Sequence, residues 1–294
     1  MIFFRRSKLP LILLSTISII ILSCGQQQQN LADTAVHDSI NNKAASSADT
    51  LTTSANEIAD AATILSKKQV PVLCYHDIKN WPPNLRTSMK EYIVPIQNFK
   101  DQMKILHDSG YKTISPDEYY AYLTTGATLP EKPVMITYDD TDEEQFTIGK
   151  TEMDKYGFKG VYFIMTISIG RPRYMNKEQI KQLADEGHTI ASHTWDHHSV
   201  KKYEGDDWDN QLLKSKNTIE GITGKPVQYF AYPFGLWKPE AFPELEKRGY
   251  KAAFILSTSR DTTAPLYTIR RMIVPGTWST ASMINSMKKT FNRN

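Results

Sequence analysis

From residue 70 onward the chain alternates short apolar runs with amphipathic segments, and this alternation restricts the folds open to it more than any other feature. Strand-like runs occupy 70–75, 134–138, 161–165, 189–192, 227–232 and 252–256, with a weaker one at 269–274. Between them helical spacing recurs. Pro95 can open a helix with Phe99, Met103 and Leu106 on one face, stopped near Gly110. Ser115-Pro116-Asp117-Glu118 has capping-box spacing with proline at the first helical position. Further helices are expected at 143–156, 177–186, 207–220, 239–248 and 281–289, the first four each ending before a glycine. Strand followed by helix, repeated about seven times, predicts an α/β fold: an irregular parallel (β/α) barrel.

The polar residues fall in register with that map. His76 follows the first run, Asp139-Asp140 the second, His193 the fourth, and Pro233-Phe234-Gly235 the fifth. Parallel barrels carry their chemistry at the C-terminal ends of their strands. His193 and His197 are four residues apart, a spacing that on a helical turn puts both imidazoles within reach of one cation. Two histidines and a carboxylate form a common ligand set for a catalytic metal that keeps positions open.

The remaining segments carry no catalytic residues. Arg5, Arg6 and Lys8 precede an apolar stretch at 9–22 that is short for a membrane span, and Ile21-Leu22-Ser23-Cys24 reads as a lipobox. Residues 1–24 are therefore expected to be a lipoprotein signal, with Cys24 lipidated and the protein exported and membrane-anchored at the cell envelope. Residues 25–69, dominated by small and polar side chains, are expected to be a flexible tether, and 70–294 the folded domain. Loss of the leader's three basic residues brings the 35 Lys and Arg level with the 32 Asp and Glu, so nothing supports a nucleic-acid partner. The second of two cysteines, Cys74, lies in an apolar run, which excludes a disulfide framework.

Two motifs are similar to those of a known family. Thr137-Tyr138-Asp139-Asp140-Thr141 resembles the Thr-Phe-Asp-Asp-Gly motif of NodB-type polysaccharide deacetylases, carbohydrate esterase family four. His193-Thr194-Trp195-Asp196-His197 resembles their His-Ser/Thr-x-x-His motif. Cys74-Tyr75-His76-Asp77-Ile78 and Phe230-Ala231-Tyr232-Pro233-Phe234-Gly235 look like the circularly permuted subgroup that includes poly-N-acetylglucosamine deacetylases. The resemblance implies a NodB-like barrel with Asp139 as general base and His76 as general acid. It further implies Asp140, His193 and His197 as ligands of one divalent ion, zinc ahead of Co²⁺, Ni²⁺ or Fe²⁺, and the Phe234 N–H as an oxyanion donor. Thr141 replaces the family's glycine. The arginine that orients the base is Ala231 here, leaving Arg270 and Arg271 as candidates for that task.

The expected substrate is an N-acetylated polysaccharide (possible O-acetyl groups included), contacted by Tyr232, Phe234, Trp195 and Trp237, with the chain acting as a monomer. Two rivals remain. One is a degenerate, non-catalytic carbohydrate-binding lipoprotein on the same fold. The other is a glycoside hydrolase using Asp139 and a second carboxylate, which leaves the histidines unexplained.

Overall fold

In the computed structural model, residues 58–256 and 259–292 are described. The expected leader, Cys24 and the expected tether up to residue 57 lie outside the described residues. Seven parallel strands make the barrel: β1 (Val72–Tyr75), β2 (Pro133–Tyr138), β3 (Gly160–Ile164), β4 (Thr189–Ser192), β5 (Tyr229–Ala231), β6 (Ala252–Leu256) and β7 (Ile269–Ile273). Neighbours in space are neighbours in sequence, and β1 closes the ring by pairing with β2 on one side and β7 on the other. The expected barrel is borne out. A parallel pair cannot be joined by a tight hairpin, and most of the crossovers carry helices.

The strands read as unbroken apolar runs because both their faces are buried. Alternate residues sort into two cores. Val72, Met135, Val161, Phe163, Ala191, Ala231, Phe254 and Ile269 fill the barrel interior, while Leu73, Tyr75, Ile136, Tyr138, Tyr162, Phe230 and Ala253 face the helices. Because the side-chain period is two, this parity also decides where each polar residue at a strand end points.

The folded unit begins earlier than residue 70. Ala61–Ser66 is a helix, capped by Asp60 accepting from the Thr63 N–H at 2.7 Å, and Ile64 is buried in the interior cluster beside Val70 and Tyr119. The polar composition around Ile64 hid this docking. The Ser115 capping box forms as expected, on the helix Pro116–Thr125.

Candidate active site

Asp139 comes directly after β2 on the inward parity, and Arg271 lies in β7 two residues past inward-facing Ile269. Parity therefore brings the two together. Arg271 donates through Nη1 to Asp139 Oδ1 at 2.6 Å and through Nη2 to Oδ2 at 2.8 Å. The pair is almost fully buried, with Arg271 at 0% and Asp139 at 2% exposure. Burial alone would raise the Asp139 carboxyl, but the Arg271 guanidinium outweighs it and holds the group well below the usual carboxylate range. Arg271, rather than a residue at position 231, is therefore the arginine that holds the Asp139 carboxylate. Arg270 has the opposite parity and lies over the Phe291 ring. Beneath the pair, the Cys74 thiol donates to Asp139 Oδ2 at 3.6 Å and lies 4.0 Å from His76 Nδ1.

Asp140, His193 and His197 form a triangle of donor atoms. Asp140 Oδ1 lies 3.6 Å from His193 Nε2 and 3.4 Å from His197 Nε2. A tetrahedral centre with ligand bonds of about 2.0–2.2 Å separates its donors by roughly 3.3–3.6 Å. His193 Nδ1–H donates to the Ala231 carbonyl at 2.8 Å, which leaves Nε2 with its lone pair toward the triangle. Burial keeps both imidazoles neutral, pushing His193 down to about 3 and lowering His197 as well. Asp140 Oδ1 is buried without a hydrogen-bond partner among the described residues, and burial pushes its carboxyl up to about 6. These residues fit a divalent cation. Two other groups of donors do not. Around Cys74, Asp139 is already engaged by Arg271, and burial keeps the thiol protonated. At His188, Nδ1 accepts from the Gly160 N–H, so Nε2 carries the proton, and Lys150 already bridges Asp154 and Glu186.

The two histidines reach one point by a route other than the expected helical turn. Residues 193–199 form an irregular loop, with Thr194 at φ 71° and His197 at φ 65°. Thr194 Oγ1 accepts from the His197 N–H at 2.9 Å, and the Ser215 hydroxyl donates to the Thr194 carbonyl. Gln211 Oε1 accepts from the Trp195 and Asp196 N–H groups. A second glutamine, Gln145, donates to the carbonyls of His76 and Asp139. Both glutamines lie on π-helical turns, Gln145–Lys150 and Asp209–Leu213. Such turns recur at functional sites because the extra residue re-aims a side chain. Sequence reasoning missed both, since the apolar spacing around them reads as ordinary helix.

Thr141 sits at φ 74°, a conformation unfavourable for a β-branched residue. Its hydroxyl oxygen accepts from the Met165 N–H at 2.8 Å, a bond the family's glycine cannot make.

A cleft of about 630 Å³ opens over these groups and includes His76, Asp139, Asp140, His193, His197 and Phe234 in its lining. Asp77 and Asp142 also line it, and burial, with the Asp77 carboxylate beside it, pushes Asp142 up to about 8, so that it is protonated at neutral pH. Three expected sugar contacts lie elsewhere. Tyr232 has helix-facing parity and is 0% exposed, packed edge-on against Phe230. Trp195 and Trp237 are half-buried and do not line the cleft; Lys214 Nζ lies 3.5 Å from the Trp195 ring centre, and the Trp237 ring packs on Phe242 at 5.2 Å. Instead the cleft presents Tyr92 and Tyr174, which belong to no recognised motif.

Residues 126–253 match the family model described as polysaccharide deacetylase. Protein YxkH of Bacillus subtilis (strain 168), named for the same family, is 31% identical over 226 residues, covering 75% of this chain and 77% of that protein. The chain belongs to the polysaccharide deacetylase family. The resemblance read from the first two motifs is borne out. Within the family it is also similar to the poly-β-1,6-N-acetyl-D-glucosamine N-deacetylase of Staphylococcus aureus (strain MRSA252), 27% identical over 186 residues, 57% of this chain and 62% of that protein. The crystal structure of BC0361, a polysaccharide deacetylase from Bacillus cereus, superposes with a TM-score of 0.65 at 25% identity, over 76% of this chain and 69% of that one. Streptococcus pyogenes deacetylase PplD shares the fold at a TM-score of 0.68 and 21% identity, covering 74% of this chain and 98% of that one.

Proposed function

We propose that this deacetylase hydrolyses N-acetyl groups on a polysaccharide of the cell envelope or its surroundings, using Asp139 as general base and His76 as general acid. The observation that carries the reading is the buried Asp139–Arg271 pair beside the Asp140–His193–His197 donor triangle, both in one cleft. A non-catalytic binder would have no use for a carboxylate held ionised at that depth.

Arg271 fixes both carboxylate oxygens of Asp139 and keeps the group unprotonated, ready to take a proton from water attacking the acetamide carbon. The Phe234 N–H donates to the carbonyl oxygen as it gains negative charge, a contribution on the order of 3 kcal/mol for one such donor. His76 then gives a proton to the departing nitrogen. Acetate and a free amine leave, and the proton accepted by Asp139 returns to solvent. Asp140, His193 and His197 would hold a divalent ion, which supplies Lewis acidity toward the carbonyl and toward water when bound. Imidazole and carboxylate donors suit Zn²⁺, which we place first, and by the same chemistry Co²⁺, Ni²⁺ and Fe²⁺. The leader and lipobox at Cys24 support an exported, lipid-anchored protein acting at the membrane surface.

Two measurements test the roles. Elemental analysis should find about one divalent ion per wild-type chain and none in His193→Ala/His197→Ala; equal content in both would overturn the ligand assignment. His76→Ala should depress amide hydrolysis far more than hydrolysis of an activated acetyl ester, whose departing oxygen needs no proton. Equal losses on the two substrates would remove His76 from the acid role.

A further inference from the structure

Among the described residues, large apolar side chains are exposed at few places: Ile58, Tyr92, Phe234 and Leu236. Tyr92, 43% exposed, and Phe234, 59% exposed, both line the cleft that holds the donor triangle, and Leu236 is two residues from Phe234. Exposed apolar surface gathered at a ligand-sized cavity marks a contact surface.

Tyr92 is firmly seated. Its N–H donates to the Met89 carbonyl and its own carbonyl accepts from the Asp77 N–H, each at 3.1 Å. The adjoining Ile93 carbonyl accepts from Trp81 Nε1–H at 2.8 Å. That same oxygen lies so close to Gly276 that a Cβ there would come within 2.0 Å of it. The Gly276 N–H donates to the Lys90 carbonyl at 2.8 Å. The backbone around Tyr92 is thereby held from several sides while its ring is left partly in water. The ring meets His76 edge to face, with centroids 5.2 Å apart. Phe234 stands in the same relation to His197 at 4.5 Å, from a backbone at φ 60°. An aromatic held rigid but uncovered gains little within the chain and offers a preorganised apolar face to a ligand.

We propose that Tyr92 is a specificity-determining residue: a stacking platform for a pyranose ring next to the sugar whose acetamide is cut. The proposal rests on the deacetylase reading for the identity of its ligand. A ring of glucosamine configuration keeps its substituents equatorial and so exposes the flat C–H face that such a platform accepts. The fit is to β-linked N-acetylglucosamine chains longer than one sugar.

The test uses N-acetylglucosamine and its β-linked oligomers of two to five units with wild type, Tyr92→Ala and Tyr92→Phe. Calorimetric Kd and steady-state KM and kcat are measured on each. Tyr92→Ala should raise Kd and KM about ten-fold, equivalent to ~1.4 kcal/mol, on every oligomer of two or more units, and leave the values for the single unit unchanged. Tyr92→Phe should restore both, since it keeps the ring. An unchanged Kd overturns the proposal. So does a loss of kcat that is equal at every length with Kd intact, because Tyr92 would then only brace His76. A raised Kd in Tyr92→Ala, found together with a wild type that releases no acetate, keeps the platform and rejects the deacetylase reading.

Discussion

At the scale of single residues, the site depends on a carboxylate that burial opposes and one guanidinium sustains. Arg271→Met should leave Asp139 buried without its cation. It should destabilise the fold by about 3–5 kcal/mol, as breaking a buried ion pair does, and urea unfolding would measure it. Residual activity should fall at least ~10²-fold, because Asp139 would lose both its charge and its orientation. The sequence left Arg270 and Arg271 undistinguished, although the signal was present. Counting by twos from Ile269 puts Arg271 inside the barrel and Arg270 outside.

His188 makes a pH prediction of definite sign. Burial, with Lys159 and Lys150 nearby, pushes its imidazole down to about 4, against the opposing pull of Asp154 and Glu186. An unfolded histidine titrates near ~6.5. Between those values the unfolded chain binds the extra proton and the folded one does not, so stability falls as pH drops through that window. The contribution is at most about 3 kcal/mol. His188→Gln, which retains an acceptor for the Gly160 N–H, should flatten the difference between urea midpoints at pH 6.5 and 4.5. An undiminished difference would place the effect on other groups.

At the scale of elements, the strands were legible and the devices that aim the site loops were not. Runs predicted at 189–192 and 252–256 coincide with β4 and β6, because a strand buried on both faces announces itself by continuous apolar content. Residues 227–232 shorten to Tyr229–Ala231, with Pro233 opening a tight turn. The π turns carrying Gln145 and Gln211 depend on a single extra residue per turn, which apolar spacing does not reveal. Gln211→Ala should loosen the loop that carries His193 and His197. Metal affinity should fall about 10- to 100-fold, as for other residues that orient ligands, while the barrel stays folded. Equal affinity by metal titration would deny Gln211 that role. The helix Ala61–Ser66 was missed because its docking rests largely on Ile64. Ile64→Ala should cost about 2–5 kcal/mol if that contact anchors the start of the domain, read by thermal or urea unfolding.

At the scale of the whole molecule, a closed parallel barrel gathers at one end groups that lie far apart in the chain. Cys74, His76, Asp139, His193 and Arg271 meet because β1, β2, β4 and β7 end on the same rim. The proposed lipoprotein leader makes an independent prediction. Cys24→Ser should abolish lipidation, and the mature protein should begin at residue 24. An intact Met1 on the membrane-bound protein, seen by mass spectrometry, would contradict the lipoprotein reading. Hydrolysis of a sugar acetamide with Asp139 as base would show itself as acetate release from a β-linked N-acetylglucosamine oligomer. With metal content verified as equal, wild type should release acetate in step with new free amine, and Asp139→Asn should do so at least ~10²-fold more slowly. Acetate release by Asp139→Asn at the wild-type rate would contradict the account, as would a metal-loaded wild type that releases none from any N-acetylated glycan.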